Sequence, residues 1–579
     1  MRNRTFPNSV ALATILGCSL IAAKPAGAQL KVELDNSTFR DFPTNFYGAN
    51  GAERNTVPWE DGTPNPNAGQ PCTTPAPGSG SQFNAALQQL QYGILRFPTG
   101  TGSDWWNYRT GDLLPMSTGY SPAPKFGPSC FPSPVSELAG EAEAASNPDN
   151  PGLAAVDYVV NTITDPHCTS GCTYGSPNES YQLKALQALT NALGSQNPPL
   201  ALTHVELGNE TSGGGPKATV YPNATAYANT MAAWIMDIKN TYPSVRIGIV
   251  GDKCIAFSDY DACKNARETN WDSALMQALT GPFYTADNRP DAVIIHIYRR
   301  SDLAANVLVT DANAETMFTE PYSAWDKLTG TLFPALRVAG VYTPKIWFTE
   351  YNLHDTNTPP LASGTWASGL YTAMFSLLFA TNTRVELAIH HEVQARAATF
   401  PDIFASTGAF KSLPFSGTPG EIPTSLYGYS AQGITTRAID RASLGQTRAE
   451  TLSFNNAPTL DGTHPVLLGE YYCGSQNGDC QKSAGQIIIL NLDNISHKLD
   501  LTGIMSSGTY YQTFGDAGAY VDGAITNNNT HFEAWKESQD NTGAWSKTED
   551  DLIVDHGSLS SPSSFNVHPF SITRIIVAN

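Results

Sequence analysis

The sequence predicts an α/β fold, namely a (β/α)8 TIM barrel with an appended antiparallel β-sandwich domain. Eight short apolar runs recur over about 370 residues with helix-like stretches between them, which is typical of a parallel barrel with enlarged loops. After about residue 420 the pattern changes to short strands separated by turn residues. A chain of 579 residues also exceeds what one hydrophobic core organises, so we expect two structured regions.

The eight apolar runs are the predicted barrel strands. In chain order they are Asn45–Ala49, Tyr92–Phe97, Val156–Ile163, Leu202–Leu207, Val245–Val250, Ala292–Tyr298, Ile346–Thr349 and Val385–Ile389. Helices are predicted between them, among others at Ser180–Leu193, Thr225–Thr241 and Trp366–Ala380. A doubly wound open sheet is the alternative architecture, although Gly100-Thr101-Gly102 lacks the third glycine of a dinucleotide-binding fingerprint.

The C-terminal part has the strand patterns of a β-sandwich at Gln486–Leu492, Thr509–Phe514 and Phe565–Val577. Apolar and polar residues alternate at Leu30–Leu34, which predicts a half-buried strand that joins this sandwich. The predicted domains are a signal peptide at 1–28, an N-terminal strand at 29–44, the barrel at 45–418 and the sandwich at 419–579.

Two segments rich in Pro, Gly and Ser, Asn55–Gly80 and Leu113–Asn150, follow the first two predicted strands. This is the side on which a barrel carries its active site. The segments are therefore either ordered walls of a cleft or decoration, and both interpretations stay open at this point.

The N-terminus predicts export. Arg2 and Arg4 precede a short apolar segment at Val10–Ala23, and small residues at Ala26–Ala28 form a cleavage site that gives a mature start near Gln29. The apolar segment is too short to span a bilayer, and no later run reaches the ~18 apolar residues required. We therefore expect a secreted or periplasmic protein with no membrane partner.

Cysteine usage agrees with export. Of the nine cysteines, Cys18 lies in the predicted signal, and eight remain. Proximity suggests the pairs Cys168–Cys172, Cys254–Cys263 and Cys473–Cys480, which leaves Cys72 with Cys130. Eight cysteines allow about a hundred connectivities, so this pairing is one of many. A zinc site is the competing interpretation, but no CxxC pair occurs, and we expect neither a metal nor a cofactor.

The composition limits the possible partners. Lys and Arg total 33 against 52 Asp and Glu, which gives a net charge of −19. Binding to a nucleic acid or an anionic membrane needs clustered Lys and Arg, so we expect neither partner. The charge favours a neutral or cationic ligand, although a local basic pocket would still bind an anionic sugar. The oligomeric state is left open.

Two predicted strands end at a glutamate, and this is the main functional signal. Glu210 closes the stretch that begins at Ala201, and Glu350 directly follows Thr349. In a barrel the reacting groups lie at the C-terminal ends of the strands. A nucleophile and a proton donor on opposite sides of one acetal are what double-displacement cleavage of a glycosidic bond needs. The alternatives are two ordinary surface glutamates, or Glu206 as the acid, although Glu206 lies inside its strand.

Further polar residues at strand ends are candidate substrate contacts. They are Arg96, Asn209, His296 and Tyr298. Each has a plain structural alternative, for example an ion pair for Arg96 and a packing role for His296. Trp105 and Trp106 follow the second strand and would either stack on sugar faces or belong to the core.

These motifs, in this strand order, resemble glycoside hydrolase clan A. Within the clan, the resemblance is to arabinofuranosidases and to heparanase-like glucuronidases and xylosidases, whose barrel carries a β-sandwich. The matching pieces are Leu95-Arg96-Phe97-Pro98, Glu206-Leu207-Gly208-Asn209-Glu210, His296-Ile297-Tyr298 and Thr349-Glu350-Tyr351-Asn352. The resemblance covers strand ends from about residue 45 to 395 and the general layout of the C-terminal part.

The resemblance implies a role for each matching residue. Glu210 would be the general acid/base, and Glu350 would be the nucleophile that forms the glycosyl-enzyme. Arg96 and Tyr298 would hydrogen-bond Glu350, and a cation there favours its ionised form. Asn209 would contact the sugar 2-hydroxyl. The implied function is a secreted retaining glycoside hydrolase that acts on a plant or microbial polysaccharide or its oligosaccharides.

The chain departs from this family at three places. Arabinofuranosidases usually have Arg-x-Pro-Gly-Gly where this chain has Arg96-Phe97-Pro98-Thr99-Gly100, and Thr211 follows the acid/base where proline is common. His390-His391-Glu392 lacks the tryptophan that is common at the eighth strand end. This triplet also suggests a metal site, but adjacent strand residues point to opposite faces. These departures bear on the substrate more than on the mechanism.

Two other functions are the alternatives. A non-catalytic carbohydrate-binding protein on a degenerate barrel would keep aromatic platforms and lose one carboxylate, whereas both carboxylates are present here. An inverting hydrolase would use the same barrel with its two carboxyl groups farther apart.

Overall fold

The structure is a computed structural model, and it describes residues 29–577 apart from internal segments. The residues outside the description are 1–28, 52–86, 88–89, 99, 110–111, 115–138, 140–141, 143–154, 176, 198, 216, 258–262, 264, 302, 304–306, 308, 354–361, 363–364, 392, 394–402, 406–426, 475–478, 482, 517–519, 522–523, 526–531, 533–537, 540–544, 548–551 and 578–579. The predicted signal peptide, Asn55–Gly80, most of Leu113–Asn150, and the predicted pair Cys72 and Cys130 therefore lie outside the described residues.

After two N-terminal strands, β1 (Leu30–Leu34) and β2 (Arg40–Asp41), eight parallel strands close into a barrel in chain order. The barrel strands are β3 (Tyr47–Asn50), β4 (Ile94–Phe97), β7 (Ala155–Val159), β8 (Ala201–Leu207), β9 (Arg246–Val250), β10 (Ala292–Arg299), β11 (Lys345–Leu353) and β12 (Val385–His390). A small hairpin of β5 (Trp106–Asn107) and β6 (Asp112–Leu113) follows β4. Each of the eight predicted runs forms a barrel strand, so the fold prediction is confirmed. The runs are continuously apolar because helices bury one face and the barrel interior buries the other.

Helices lie between the strands. They are α1 (Glu179–Gly194), α2 (Lys217–Val220), α3 (Ala224–Thr241), α4 (Ala266–Thr269), α5 (Trp271–Leu279), α6 (Asp311–Lys327), α7 (Phe333–Ala335), α8 (Trp366–Ala380) and α9 (Ala431–Ser443). The three predicted helices correspond to α1, α3 and α8. Asn178 and Asn223 cap α1 and α3, because their side chains accept hydrogen bonds from backbone N–H groups of the first turn. Among the described residues, no helix combines the length and apolarity needed to cross a bilayer.

Helix α8 is buried along its whole length because it lies between the barrel and the C-terminal sheet. Its Gly369 faces α9 closely, and a Cβ there would lie 2.7 Å from the Ala431 carbonyl oxygen. Helix α9 follows the two-stranded antiparallel sheet of β13 (Ile403–Ala405) and β14 (Tyr427–Tyr429) and packs against α8. Since α9 packs as the last helix of the barrel, we propose that the barrel domain extends beyond the predicted boundary at 418, to between α9 and the next strand.

The C-terminal part is mostly antiparallel sheet, as predicted. Its strands are β15 (Arg448–Phe454), β16 (Leu467–Cys473), β17 (Gly485–Asn491), β18 (His497–Asp500), β19 (Gly508–Phe514), β20 (Tyr520–Val521), β21 (Ala524–Ile525), β22 (Ser538–Gln539), β23 (Trp545–Lys547), β24 (Ile553–Leu559), β25 (Phe565–Val567) and β26 (Ser571–Val577). One layer has the order β24-β19-β26-β17-β16-β15, and β1-β18-β25 continues the sheet from β15. Apolar side chains of the first six strands and of β1-β18-β25 pack together in one core. Strand β1 pairs antiparallel with β15 and parallel with β18.

The predicted strand run Phe565–Val577 is two strands in the structure. The chain turns at residues 568–570, where Phe570 has a φ of +42°. Before the turn, β25 pairs with β18, and after it β26 pairs with β17 and β19. Periodicity alone does not show this break, because apolar residues continue on both sides of it.

Three disulfide bonds are present in the described part of the chain. They are Cys168–Cys172, Cys254–Cys263 and Cys473–Cys480. These three pairs match the pairing suggested by proximity, so that part of the prediction is confirmed.

His464 links the barrel to the sandwich. Its ring stacks on Tyr322 of α6 at 4.6 Å, and its nitrogens lie 2.7 Å from Asp461 and 3.1 Å from Asp326. Burial lowers the pKa of His464, but the hydrogen bonds to the two aspartates outweigh this effect and raise its pKa above the usual value. The protonated ring therefore stabilises the contact between the two domains.

We expect the His464→Gln change to destabilise the protein more at low pH than at high pH. A raised folded-state pKa gives stability that is complete below the unfolded pKa of about 6.5 and is lost as the pH rises through the folded pKa. Thermal midpoints of both proteins between pH 5 and 9 should therefore differ most at the acidic end and converge at the alkaline end. A difference that does not vary with pH would contradict the assigned charge of this ring.

Candidate active site

The C-terminal ends of the parallel barrel strands bring polar side chains to one face of the barrel. Glu210 follows β8, Glu350 lies within β11 near its end, and His296 lies towards the end of β10. The His296 Nδ1 atom is 3.2 Å from Glu210 Oε1 and 3.4 Å from Glu350 Oε2. One oxygen of each glutamate and a nitrogen of His296 all lie within 4.8 Å of one another. The two carboxylates, 140 residues apart in sequence (350 − 210), thus meet across one imidazole ring.

Glu350 is enclosed by donors. Arg96 Nη1 donates to Oε1 at 2.7 Å, and the Tyr298 hydroxyl donates to Oε2 at 2.5 Å. Its side chain is only 5% exposed. Burial alone raises the pKa of Glu350, but the neighbouring His296 ring and the Arg96 guanidinium outweigh burial and hold its pKa below the usual value. This carboxylate is therefore held ionised.

Arg96 is fully buried, and each of its five N–H donors has an acceptor. Nε and Nη2 bind the two oxygens of Glu206 at 2.9 and 2.8 Å, and Nη2 also donates to Asn209 Oδ1 at 3.0 Å. Nη1 donates to Asn50 Oδ1 at 2.8 Å as well as to Glu350. The bidentate pair with Glu206 fixes the plane of the guanidinium, which in turn aims Nη1 at Glu350.

A second carboxyl, Asp157 on β7, lies beside Glu206 in the barrel interior. Burial and the neighbouring charge of Glu206 raise the pKa of Asp157 well above its usual value. The neutral form of Asp157 is therefore favoured, and this reduces the negative charge that faces Arg96 in addition to Glu206 and Glu350.

The backbone at Glu210 has a conformation that is uncommon for a residue with a side chain. Glu210 has a φ of +44°, and Gly208 just before it has a φ of +95°. A Cβ at Gly208 would lie 2.4 Å from Thr162 Oγ1, so this position needs glycine. The turn lifts the Glu210 side chain towards solvent, where 46% of it is exposed, against 5% for Glu350. Outliers of this kind concentrate at functional sites.

Positive charges surround Glu210. Desolvation of Glu210 in the pocket raises its pKa. The hydrogen bond to His296 and the charges of Lys217 and Lys253 outweigh this effect and hold the pKa below its usual value. Lys217 also donates to the Asn209 carbonyl at 2.6 Å and pairs with Asp104 at 2.9 Å. Burial raises the pKa of Asp104 to about 6. Lys217 thus ties the turn that carries Glu210 to the loop after β4.

Asn209 is buried beside this turn. Its Oδ1 accepts from Arg96, and among the described residues its Nδ2 has no acceptor. Since the Arg96 contact uses Oδ1, the amide hydrogens are the part of Asn209 that remains for a ligand.

Trp105 and Trp106 do not offer their faces to a ligand in the structure. Trp105 is 0% exposed and packs on Tyr174 at 4.8 Å, and Trp106 is 5% exposed and packs edge-on against Phe97 at 5.1 Å. Both belong to the core, which was the alternative interpretation, and we leave them out of the proposed site.

Sequence reasoning did not assign a supporting role to several residues of the site. Asn50 and Glu206 hold Arg96, and Lys217 holds the Glu210 turn. His391 lies at the end of the eighth strand with its ring 5.7 Å from that of Tyr298, and burial lowers its pKa to about 4. Asn50 and His391 each come at a barrel strand end, so the rule that found Arg96 would have found them too.

A metal is disfavoured by the arrangement of donors. Glu210, His296 and Glu350 bring ligand atoms close enough to hold a cation, but the Arg96 guanidinium already lies 2.7 Å from Glu350 and would repel one. A second grouping, Asp252 with Cys254 and Cys263, has its two sulfurs joined in a disulfide.

An open pocket adjoins Glu210, and its space, together with the solvent at its open mouth, is about 550 Å³. Its walls come from the turn after β8, the loop after β9 and helix α4. The polar residues that line it are Glu210, Ser212, Asp252, Lys253, Glu268 and His296.

No protein-family model matches the sequence, and no curated protein matches it. Solved structures do match. A family 51 α-L-arabinofuranosidase from Bifidobacterium longum is 12% identical, with a TM-score of 0.58 over 94% of this chain and 98% of that chain. A 4-O-α-L-rhamnosyl-β-D-glucuronidase from Fusarium oxysporum 12S is 12% identical, with a TM-score of 0.53 over 95% and 100%. A family 44 endoglucanase from Clostridium acetobutylium is 11% identical, with a TM-score of 0.53 over 95% and 99%. At these identities the similarity shows the fold, and the chain shares the barrel-and-sandwich fold of clan A glycoside hydrolases.

Proposed function

We propose that the protein is an exported, retaining glycoside hydrolase that cleaves a polysaccharide or its oligosaccharides. The observation that carries the proposal is the meeting of Glu210 and Glu350 across His296, with oxygens within 4.8 Å of each other. Retaining enzymes place their carboxyl groups about 5–5.5 Å apart, whereas inverting enzymes leave about 6.5–9.5 Å for a water molecule. The observed approach favours retention. The three disulfides support export.

In the first step the Glu350 carboxylate attacks the anomeric carbon. The bond to the leaving oxygen breaks, and Glu210 gives that oxygen its proton. Arg96 and Tyr298 hold both oxygens of Glu350, so the nucleophile is oriented before the sugar arrives. We expect the amide hydrogens of Asn209, which have no acceptor among the described residues, to bind the 2-hydroxyl, a contact that strengthens in the transition state.

In the second step a water molecule attacks the same carbon and displaces Glu350. Glu210, now a carboxylate, takes the proton of this water. Glu210 must be protonated for the first step although positive neighbours lower its pKa. A bound sugar that covers its exposed side chain removes water from the carboxylate, and this favours the neutral form.

The proposal is tested with a panel of 4-nitrophenyl glycosides and intact polysaccharides, including arabinan, xylan and glucan. We expect release of nitrophenol from at least one glycoside. Proton NMR of the first-formed sugar should show the anomeric configuration of the substrate. Initial release of the opposite anomer would contradict the retaining mechanism. Oligosaccharide binding without release of reducing sugar would instead favour the non-catalytic alternative.

A further inference from the structure

The pocket beside Glu210 has a defined position relative to the two carboxylates. Among the described residues, its walls include Glu210 and His296, whereas Glu350, Arg96 and Tyr298 lie outside it. In a double displacement the acid/base lies towards the leaving group and the nucleophile lies on the other side of the anomeric carbon. A pocket on the Glu210 side is therefore where the leaving group would lie.

The wall of this pocket is held firmly by Arg267 of helix α4. Its guanidinium donates to the carbonyl oxygens of Thr211 at 2.9 Å and Gly213 at 2.5 Å, and it lies over the Trp271 ring at 4.6 Å. The next residue, Glu268, accepts the Gly214 N–H at its Oε1 at 3.0 Å. The turn after Glu210 and helix α4 therefore form one preorganised surface.

Glu268 also presents an unused acceptor. The residue is only 8% exposed, it lines the pocket, and its Oε2 has no hydrogen-bond partner in the described part of the chain. A buried acceptor without a donor is costly, and a ligand hydroxyl that donates to it removes that cost. A site built to bind a hydroxyl also discriminates strongly against analogues that lack one.

The charges of the pocket limit which sugar it accepts. Asp252 and Glu268 face it with Glu210, against the ammonium group of Lys253 and the ring of His296. A sugar that carries a carboxylate would be placed next to like charges, whereas neutral hydroxyls find both acceptors and a donor there.

We propose that this pocket is the leaving-group subsite and that Glu268 selects a neutral, hydroxyl-rich sugar in it. The inference rests on the proposed glycosidase function and adds the class of the leaving group. The same subsite also binds an acceptor sugar, which reacts with the glycosyl-enzyme in the reverse of the first step. An acceptor hydroxyl attacks the anomeric carbon of the Glu350 ester, Glu210 takes the hydroxyl proton, and Glu350 leaves as a carboxylate.

Transfer to added acceptors tests this subsite. The donor is the 4-nitrophenyl glycoside that the panel identifies, and the acceptors are xylobiose, which is neutral, and digalacturonate, which has a similar size and two carboxylates. With the unmodified protein we expect transfer products from xylobiose and at least about tenfold less from digalacturonate. Equal transfer to both, or none to xylobiose, would overturn the proposal even if nitrophenol is released.

The variant Glu268→Gln tests the role of Oε2. It keeps an oxygen for the Gly214 N–H but replaces the charged acceptor, so the ratio of xylobiose transfer to hydrolysis should fall about tenfold. Asp287→Asn, which removes a carboxylate from an exposed loop that precedes β10 at the other end of the barrel, is the matched control and should keep the unmodified ratio. An unchanged ratio in Glu268→Gln would exclude Glu268 as the selecting residue. Absence of nitrophenol release from the whole panel would instead overturn the proposed function.

Discussion

The Glu350→Gln variant is expected to fold and to lose turnover by about 10⁴-fold or more, the order of loss when a nucleophile is removed from a catalytic set. The amide has nearly the same shape, its oxygen still accepts the hydrogen bond from Arg96, and its NH2 group faces the Tyr298 hydroxyl oxygen, but it does not form the glycosyl ester. The measurement is kcat on the 4-nitrophenyl glycoside that the unmodified protein hydrolyses, with the thermal midpoint as a check of folding.

The control for this loss is Glu33→Gln on strand β1 of the sandwich, whose side chain is exposed and lies outside the barrel. It removes the same charge from the protein and should keep full activity. Retention of more than a few per cent of kcat in Glu350→Gln would contradict its role as nucleophile.

The second large effect is expected from Glu210→Ala, and its size should depend on the leaving group. Removal of a general acid costs about 10²–10⁴-fold, and a poor leaving group such as a sugar needs the proton most. Nitrophenolate leaves without a proton, so the glycosyl-enzyme should still form from the aryl glycoside and then persist. Added azide, which needs no general base, should react with it and give a glycosyl azide of retained configuration.

The variant Glu206→Gln tests whether azide rescue is specific to the acid/base residue or follows the loss of any carboxylate near the site. Glu206 binds Arg96 through both oxygens and lies at the barrel interior, so its loss should slow the reaction through a disturbed Arg96 and Glu350. Azide should not restore the activity of this variant. If azide restores the activity of Glu206→Gln and not that of Glu210→Ala, Glu206 is the acid/base residue and the assignment of Glu210 is wrong.

The barrel was predictable because burial on both faces leaves a clear trace in the sequence. Strands such as β10 and β11 begin with short apolar runs, and the polar residues that follow them lie at the face of the barrel that carries the candidate site. The same logic found Glu210, Glu350, Arg96 and Tyr298.

The partners inside the barrel were not predictable from the sequence. Glu206 and Arg96 are separated by 110 residues, and the residues around an inward-facing glutamate do not indicate which distant side chain it binds. The burial of Trp105 and Trp106 likewise depends on the side chains that pack over them, since an indole suits both a core and a sugar platform. Glu268 lies on a short helix far from any strand end, so only the pocket reveals it.

The most direct test of the account is covalent trapping with a 2-deoxy-2-fluoro glycoside of the sugar that the panel identifies. The fluorine slows hydrolysis of the glycosyl-enzyme, so the ester accumulates and peptide mass spectrometry locates it. The account predicts one label per chain, on Glu350, and none in the Glu350→Gln variant. A label on Glu210, Glu206 or any other residue would contradict it.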